Sequence, residues 1–164
     1  MKLCRASSSM PLVSPIVNVD GVPYLDGGLA DSIPVKRAQA LGNEKIIVIL
    51  TRNPGYRKKP TSRGVKSLYK RAYKKYPNLV RTAIKRSMIY NQQMELVEKL
   101  EDEGKIFVIR PLIPTVSRLE KNYDALMHFY EHGYRLMKRQ YQALQEYMEN
   151  RKDGKGESGC VNQG

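Results

Sequence analysis

An α/β fold is expected from three features of this 164-residue chain. Lys45-Ile46-Ile47-Val48-Ile49-Leu50 is a continuous β-branched run, and Lys105-Ile106-Phe107-Val108-Ile109-Arg110 is its companion. Runs of that kind suit strands buried on both faces of a parallel sheet. Two stretches with helical periodicity separate them, and the order strand, helix, strand implies right-handed crossovers in a layered architecture. With 41% hydrophobic residues the chain can bury a core, so one domain, or most of one, is expected over residues 1–150.

Along the chain, residues 16–19 and 22–25 alternate and are joined by Asp20-Gly21, the favoured two-residue hairpin turn. Asp26 therefore stands where the second strand stops. A short helix is opened by Pro34 and closed by Gly42, the usual asymmetry of proline at the start and glycine past the end. Val65, Leu68, Tyr69, Ala72, Tyr73 and Tyr76 recur at helical spacing, with Lys66, Lys70, Arg71, Lys74 and Lys75 on the other side, and Pro77 ends that helix. A second helix is expected over about 78–103, with Gly104 as its C-cap. Residues 111–117 read as a loop. The last helix carries Leu126, Phe129, Tyr130, Gly133, Tyr134, Met137, Tyr141, Leu144 and Met148 as an apolar stripe, read as core packing. From residue 151 the chain is Gly-rich and polar, with the composition of a flexible tail.

The stretch richest in chemistry is Tyr24-Leu25-Asp26-Gly27-Gly28, preceded by Ala6-Ser7-Ser8-Ser9-Met10-Pro11. Asp-Gly is common turn chemistry, and one reading of the D-G-G is a turn and nothing more. Alternatively, glycines with no Cβ at 27 and 28 let the chain turn sharply and another group approach the Asp26 carboxylate. A-S-x-x-x-P, a hairpin, and then Y-L-D-G-G-L-A-D-S-I-P together resemble the C-terminal motif block of the patatin-like phospholipases, in the pattern of a bacterial subgroup.

That resemblance implies a three-layer fold with a mostly parallel sheet, of which this chain would be the C-terminal part. It implies a Ser-Asp dyad that hydrolyses lipid acyl esters without histidine or any cofactor. Asp26 is the position that carries over as the catalytic carboxylate, with Gly27 and Gly28 shaping its loop. Ser32 departs from the family, where Asn is common two residues before the Pro.

The chain has no G-x-S-x-G elbow and no upstream Gly-rich segment that would supply an oxyanion hole. Gly156-Glu157-Ser158-Gly159-Cys160 is a near miss with Cys in place of the last Gly, and it lacks the strand that a nucleophile elbow requires. The nucleophile is therefore expected in a missing N-terminal half, with Met-Lys-Leu-Cys-Arg-Ala read as an internal helix end. On its own, this chain is expected to be inactive.

Charge is concentrated. Residues 52–86 hold 13 of the 29 Lys and Arg and no acidic residue, and this segment alone accounts for the net charge of +13. A patch of that kind is either a solvated helix face or a surface for polyanions. Tyrosines beside lysines suit an anionic membrane surface, whereas no nucleic-acid module is recognisable and no nucleic-acid partner is expected. The expected partners are thus a lipid or acyl ester substrate and an anionic membrane. The alternative to the enzyme is a non-enzymatic basic module that binds membrane or nucleic acid and keeps the D-G-G loop for structure.

No apolar run approaches the ~20 residues of a membrane span, and the N-terminus lacks the apolar core of a signal peptide. Cys4 and Cys160 lack C-x-x-C spacing and read as free thiols of a reducing compartment. A cytoplasmic protein, with peripheral membrane contact, is expected. His128 and His132 stand four apart, a spacing able to place both on one metal, but no third ligand accompanies them and no metal site is expected.

Overall fold

The computed structural model describes residues 1–117 and 119–150. It divides into two compact units, Met1–Arg110 and Pro111–Gly164. The first contains helix α1 (Lys2–Ser7), strands β1 (Val17–Val19) and β2 (Val22–Tyr24), and a 3-10 turn at Gly27–Leu29. Helix α2 (Val35–Ala40), strand β3 (Ile47–Ile49), helices α3 (Arg63–Ala72) and α4 (Pro77–Asp102), and strand β4 (Phe107–Ile109) follow. The mixture of helices with a small parallel sheet is an α/β arrangement.

β1 and β2 form the expected hairpin, antiparallel with Val19 opposite Val22. Asp20 and Gly21 both have positive φ, 51° and 80°, the backbone that matches a two-residue turn to the twist of its strands. This hairpin is a sheet of its own. Asp26 therefore follows an antiparallel strand, outside the parallel pair.

β3 and β4 pair in parallel, Val48 opposite Val108. The Leu50 N–H to Ile109 carbonyl (2.8 Å) and the Phe107 N–H to Ile46 carbonyl (3.0 Å) extend the ladder at both ends. Ile46, Val48, Leu50, Ile106 and Val108 form the core together with Tyr90, Met94, Val97 and Leu100 of α4, and with Ile33 and Val35 at the start of α2. Met94 and Val97, both fully buried, are its largest fully enclosed side chains. The expectation that β3 is buried on both faces is not met: Ile47 is 42% and Ile49 73% exposed. Because strand side chains alternate, α4 and α2 cover the even-numbered face and leave the odd one open.

α3 is capped by Ser62, whose Oγ accepts the Val65 N–H at 3.4 Å. It ends at Ala72, earlier than the apolar spacing through Tyr76 suggested. Tyr73 leaves the helix and is buried, and its phenol oxygen accepts the Leu12 N–H at 2.8 Å, tying the chain after α3 to the segment after α1. α4 begins with Pro77 at its first turn and stops before Gly104, which adopts φ 63°, a left-handed C-cap that glycine takes without a Cβ clash. Its buried residues Val80, Ala83, Tyr90, Met94, Val97 and Leu100 recur at three, four and seven, one continuous helical face.

In the second unit, helix α5 (Tyr123–Glu149) is capped by Asn122, whose Oδ1 accepts the Ala125 N–H at 3.1 Å. Here the expected core stripe is corrected. Leu126, Tyr130, Tyr134, Tyr141 and Met148 are exposed. The covered face runs instead through Ala125, Phe129, His132, Leu136 and Gln140, with Leu136 buried. Phe129, Met137 and Leu144 of the expected stripe are half-buried, so the stripe holds at those three positions and fails at Leu126, Met148 and its tyrosines, whose bulk outweighed their exposure in the sequence reading. The near-miss Ser158, Cys160 and the expected flexible tail lie outside the described residues.

Candidate active site around Asp26

Two residues beyond β2, Asp26 caps the 3-10 turn. Its Oδ1 accepts the Gly28 N–H at 2.7 Å. The Asp26 N–H in turn donates to the Ser9 carbonyl at 2.8 Å, so the A-S block and the D-G-G loop, separated in sequence by the hairpin, meet here. Ser9 is itself buried and its Oγ donates to the Arg5 carbonyl at 2.8 Å, anchoring the block to α1. The Leu29 N–H donates to the Asp26 carbonyl, and the Ala30 and Asp31 N–H groups share the Gly27 carbonyl at 3.0 Å each.

The two glycines differ. Neither has positive φ, so neither is required by a left-handed backbone, contrary to the sharp-turn reading. A Cβ on Gly28 would stand 3.1 Å from Asp26 Oδ1, whereas a Cβ on Gly27 would meet nothing within 4 Å. Gly28 permits the close approach of carboxylate to backbone; Gly27 leaves open space beside it. The half-buried Asp26 carboxylate has its Oδ2 without a hydrogen bond among the described residues. Such an oxygen is free to take a proton from an incoming group while its partner oxygen holds the orientation.

Beyond these backbone contacts, side chains clamp the loop. Ser32 Oγ donates to the Gly28 carbonyl at 2.7 Å, so the hydroxyl standing where the family pattern favours an amide is engaged in the loop. Arg86 Nε donates to the same carbonyl at 2.9 Å. Gln93 accepts the Ile33 N–H at 3.2 Å and donates to Asp31 Oδ1. Arg86 and Gln93 passed unnoticed in the sequence because one belongs to a basic run and the other to a polar helix face. Their seven-residue spacing was the signal that could have placed them together.

Residues 1–38 match the family model of the patatin-like phospholipases. The match supports that family for the stretch carrying Asp26. Residues 76–149 match a domain of unknown function, DUF6363, and this second match spans α4 and β4 of the first unit as well as α5 of the second. A stretch of 52 residues is 42% identical to the uncharacterized protein YjjU of Escherichia coli (strain K12), covering 31% of this chain and 15% of that protein.

Adjoining the patatin-like stretch, the basic segment divides into engaged and open cations. Arg57 makes a two-point ion pair with Glu98 of α4, at 3.0 and 2.6 Å, which holds the Glu98 carboxyl below its ordinary value and raises the guanidinium. Lys58 Nζ lies 3.8 Å from the Tyr90 ring centroid, a cation–π contact, and Tyr90 itself is pushed up by burial. By contrast Lys70, Arg71, Lys74 and Lys75 are exposed and Lys66 half-buried, with no acidic partner among the described residues. Val65, Leu68, Ala72 and Tyr76 beside them are exposed too. Only Tyr69 and Tyr73 of the expected apolar face turn inward, stacked with centroids 6.1 Å apart. Burial raises the Tyr69 phenol, opposed by the nearby Arg86 charge.

His132 is committed locally: its Nε2 accepts the Leu112 N–H at 3.1 Å. His128 is exposed. Among the described residues, no three His, Cys, Asp or Glu are arranged to hold a metal, and no helix is long and apolar enough to cross a membrane.

Proposed function

We infer that this chain is the C-terminal part of a patatin-like serine acyl hydrolase acting on lipid esters, with Asp26 as the base of a Ser-Asp dyad. The observation that carries the reading is the Asp26 carboxylate, with one oxygen fixed on the Gly28 N–H and the other open, inside the stretch that matches the family. The serine would come from a G-x-S-x-G elbow in the N-terminal half, as part of a three-layer fold. Its hydroxyl attacks the acyl carbonyl while Asp26 Oδ2 takes the proton. The proton then passes to the leaving alcohol as the ester bond breaks, and an acyl-enzyme remains. Water attacks the acyl carbon while giving a proton to Asp26, and Asp26 returns that proton to the serine oxygen as the acyl–serine bond breaks and the acid leaves. Gly27 keeps the approach open and Gly28 admits the carboxylate. No cofactor takes part.

We place the enzyme in the cytoplasm, peripheral to an anionic membrane. The exposed cations Lys70, Arg71, Lys74 and Lys75, flanked by exposed Val65, Leu68 and Tyr76, suit an interface where lysines reach headgroups and apolar rings rest at their depth.

The test is a short-chain p-nitrophenyl ester assay on the complete reading frame alongside this chain alone. Turnover is expected from the first and none above background from the second, which offers a base without nucleophile or oxyanion donors. Turnover by the 164 residues, surviving Ser158→Ala, would overturn the division of the dyad. A complete frame lacking both G-x-S-x-G and turnover would favour the non-enzymatic basic module.

A further inference from the structure

We propose that Arg86 and Gln93 of α4 are positioning residues for the Asp26 carboxylate. The proposal rests on the reading of Asp26 as the base. It also gives the N-terminal helix of the domain of unknown function a role in the patatin-like stretch.

Seven residues apart on a helix, Arg86 and Gln93 share a face, roughly 10 Å from one another along the axis. That distance suits a short loop, and the two side chains grip the loop after Asp26 at its two ends. Arg86 Nε donates to the Gly28 carbonyl at 2.9 Å. Gln93 holds the Ile33 N–H with its oxygen and the Asp31 carboxylate with its nitrogen. The Gly28 carbonyl also accepts from Ser32 Oγ at 2.7 Å, so both its lone pairs are used. On its other side, Gly28 gives its N–H to Asp26 Oδ1. The same residue that orients the carboxylate is thus fixed through its carbonyl by a side chain from 58 residues away in sequence.

Arg86 is suited to this by its position as well as its bond. Its Nη2 lies 3.8 Å from the point a Cβ would occupy on Gly28, the point that Asp26 Oδ1 approaches to 3.1 Å, so the guanidinium and the carboxylate flank the same vacant volume. The cation is bound to α4, whose Met94 and Val97 are fully buried between α2 and the parallel strands. A helix anchored in the core of the first unit therefore carries the clamp, the support a precise catalytic group requires. A Cβ on Gly28 would crowd the carboxylate oxygen and come into ordinary contact with the guanidinium.

The experiment uses the complete reading frame with Arg86→Met, Arg86→Lys and Gln93→Leu, read in two ways. Hydrogen exchange is followed at the amides of 28–33 and, as a reference, at Val97 and Leu100. Turnover of a short-chain p-nitrophenyl ester is normalised to serines titrated by a fluorophosphonate. Arg86→Met is expected to speed loop exchange at least ~10-fold while the α4 reference is unchanged, and to lower kcat per titrated serine roughly 30-fold with KM within about twofold. Arg86→Lys, which keeps a cationic donor for the Gly28 carbonyl, is expected to retain most of both, and Gln93→Leu to loosen exchange at 31 and 33 with a smaller loss of kcat.

Unchanged loop exchange in Arg86→Met and Gln93→Leu overturns the proposal. So does a loss that disappears on normalising to titrated serine, since that is the mark of a merely structural residue. Wild-type protein without turnover defeats the reading of Asp26 as the base, while the exchange arm still decides whether Arg86 and Gln93 fix the loop.

Discussion

The Asp26 loop and helix α3 lie in the same unit and are built in opposite ways. In the loop, the groups beside the carboxylate are held by specific partners: Ser9 for the Asp26 N–H, Asp26 for the Gly28 N–H, Ser32 and Arg86 for the Gly28 carbonyl. On α3 the cations have no acidic partner among the described residues, and the apolar side chains beside them stay in solvent. A group that must meet a reacting atom has to be held still. A surface that attracts a fluid sheet of headgroups gains from many loosely held charges and loses nothing from their mobility. On the function proposed above, the first region does the chemistry and the second docks, and that contrast can be broken from either side.

The largest expected effect falls on the end of α3 and the turn that follows it. Replacing Lys70, Arg71, Lys74 and Lys75 by Glu should lower partition onto phosphatidylglycerol vesicles by at least ~10³-fold, at about 1 kcal/mol for each basic side chain near the surface. Binding of the unaltered protein should weaken as salt is raised, with little binding to neutral vesicles. Turnover of a soluble ester should be unchanged. Equal binding to neutral vesicles, or tighter binding to duplex DNA at the same salt, would remove the membrane assignment.

Next in size is the difference between the two glycines. Gly28→Ala places a methyl group 3.1 Å from Asp26 Oδ1, so the carboxylate must move, and turnover in the complete frame should fall by roughly 10- to 100-fold. Gly27→Ala points into open space and should stay within about twofold of wild type by the same reasoning. Similar losses at both positions, accompanied by lowered Tm, would make the D-G-G loop a turn and nothing more.

The smallest effect separates engaged from open cations within the basic run. Glu98→Gln removes the partner of Arg57 and should cost about 1 kcal/mol or less, given the partial exposure of the pair, with vesicle binding unaffected. The sign of its pH dependence follows from the lowered Glu98 value. The contribution is complete above the ordinary carboxylate value of 4.5 and is lost as pH falls through the lowered folded value. Urea midpoints of the two proteins should therefore differ at neutral pH and converge under strong acid.

Local chemistry made much of this legible in the sequence. Asp20-Gly21 gave the hairpin, Pro77 and Gly104 bracketed α4, and Tyr24-Leu25-Asp26-Gly27-Gly28 marked the loop, because turns and caps depend on a few adjacent residues. What failed depended on what lies opposite. Ile47 and Ile49 are as apolar as Val48, and only the packing of α4 and α2 on one face decides which is covered. The tyrosines of α5 outweighed Ala125 and His132 in periodicity while facing solvent. Tyr73 looked like one more helical apolar residue until its hydroxyl met the Leu12 N–H across 61 residues. Arg86 and Gln93 were hidden for the same reason: their seven-residue spacing puts them on one helix face, but nothing local says which loop that face meets.

The most direct test of Asp26 as the base is fluorophosphonate labelling of the complete protein, wild type against Asp26→Asn, with circular dichroism and Tm measured on the same samples. Asparagine keeps the shape of the side chain and can still accept the Gly28 N–H, but it cannot take a proton. The expected result is labelling of one serine in the wild type, a rate at least ~10³-fold lower in Asp26→Asn, and matching spectra and Tm. Labelling of Asp26→Asn at the wild-type rate would contradict the account.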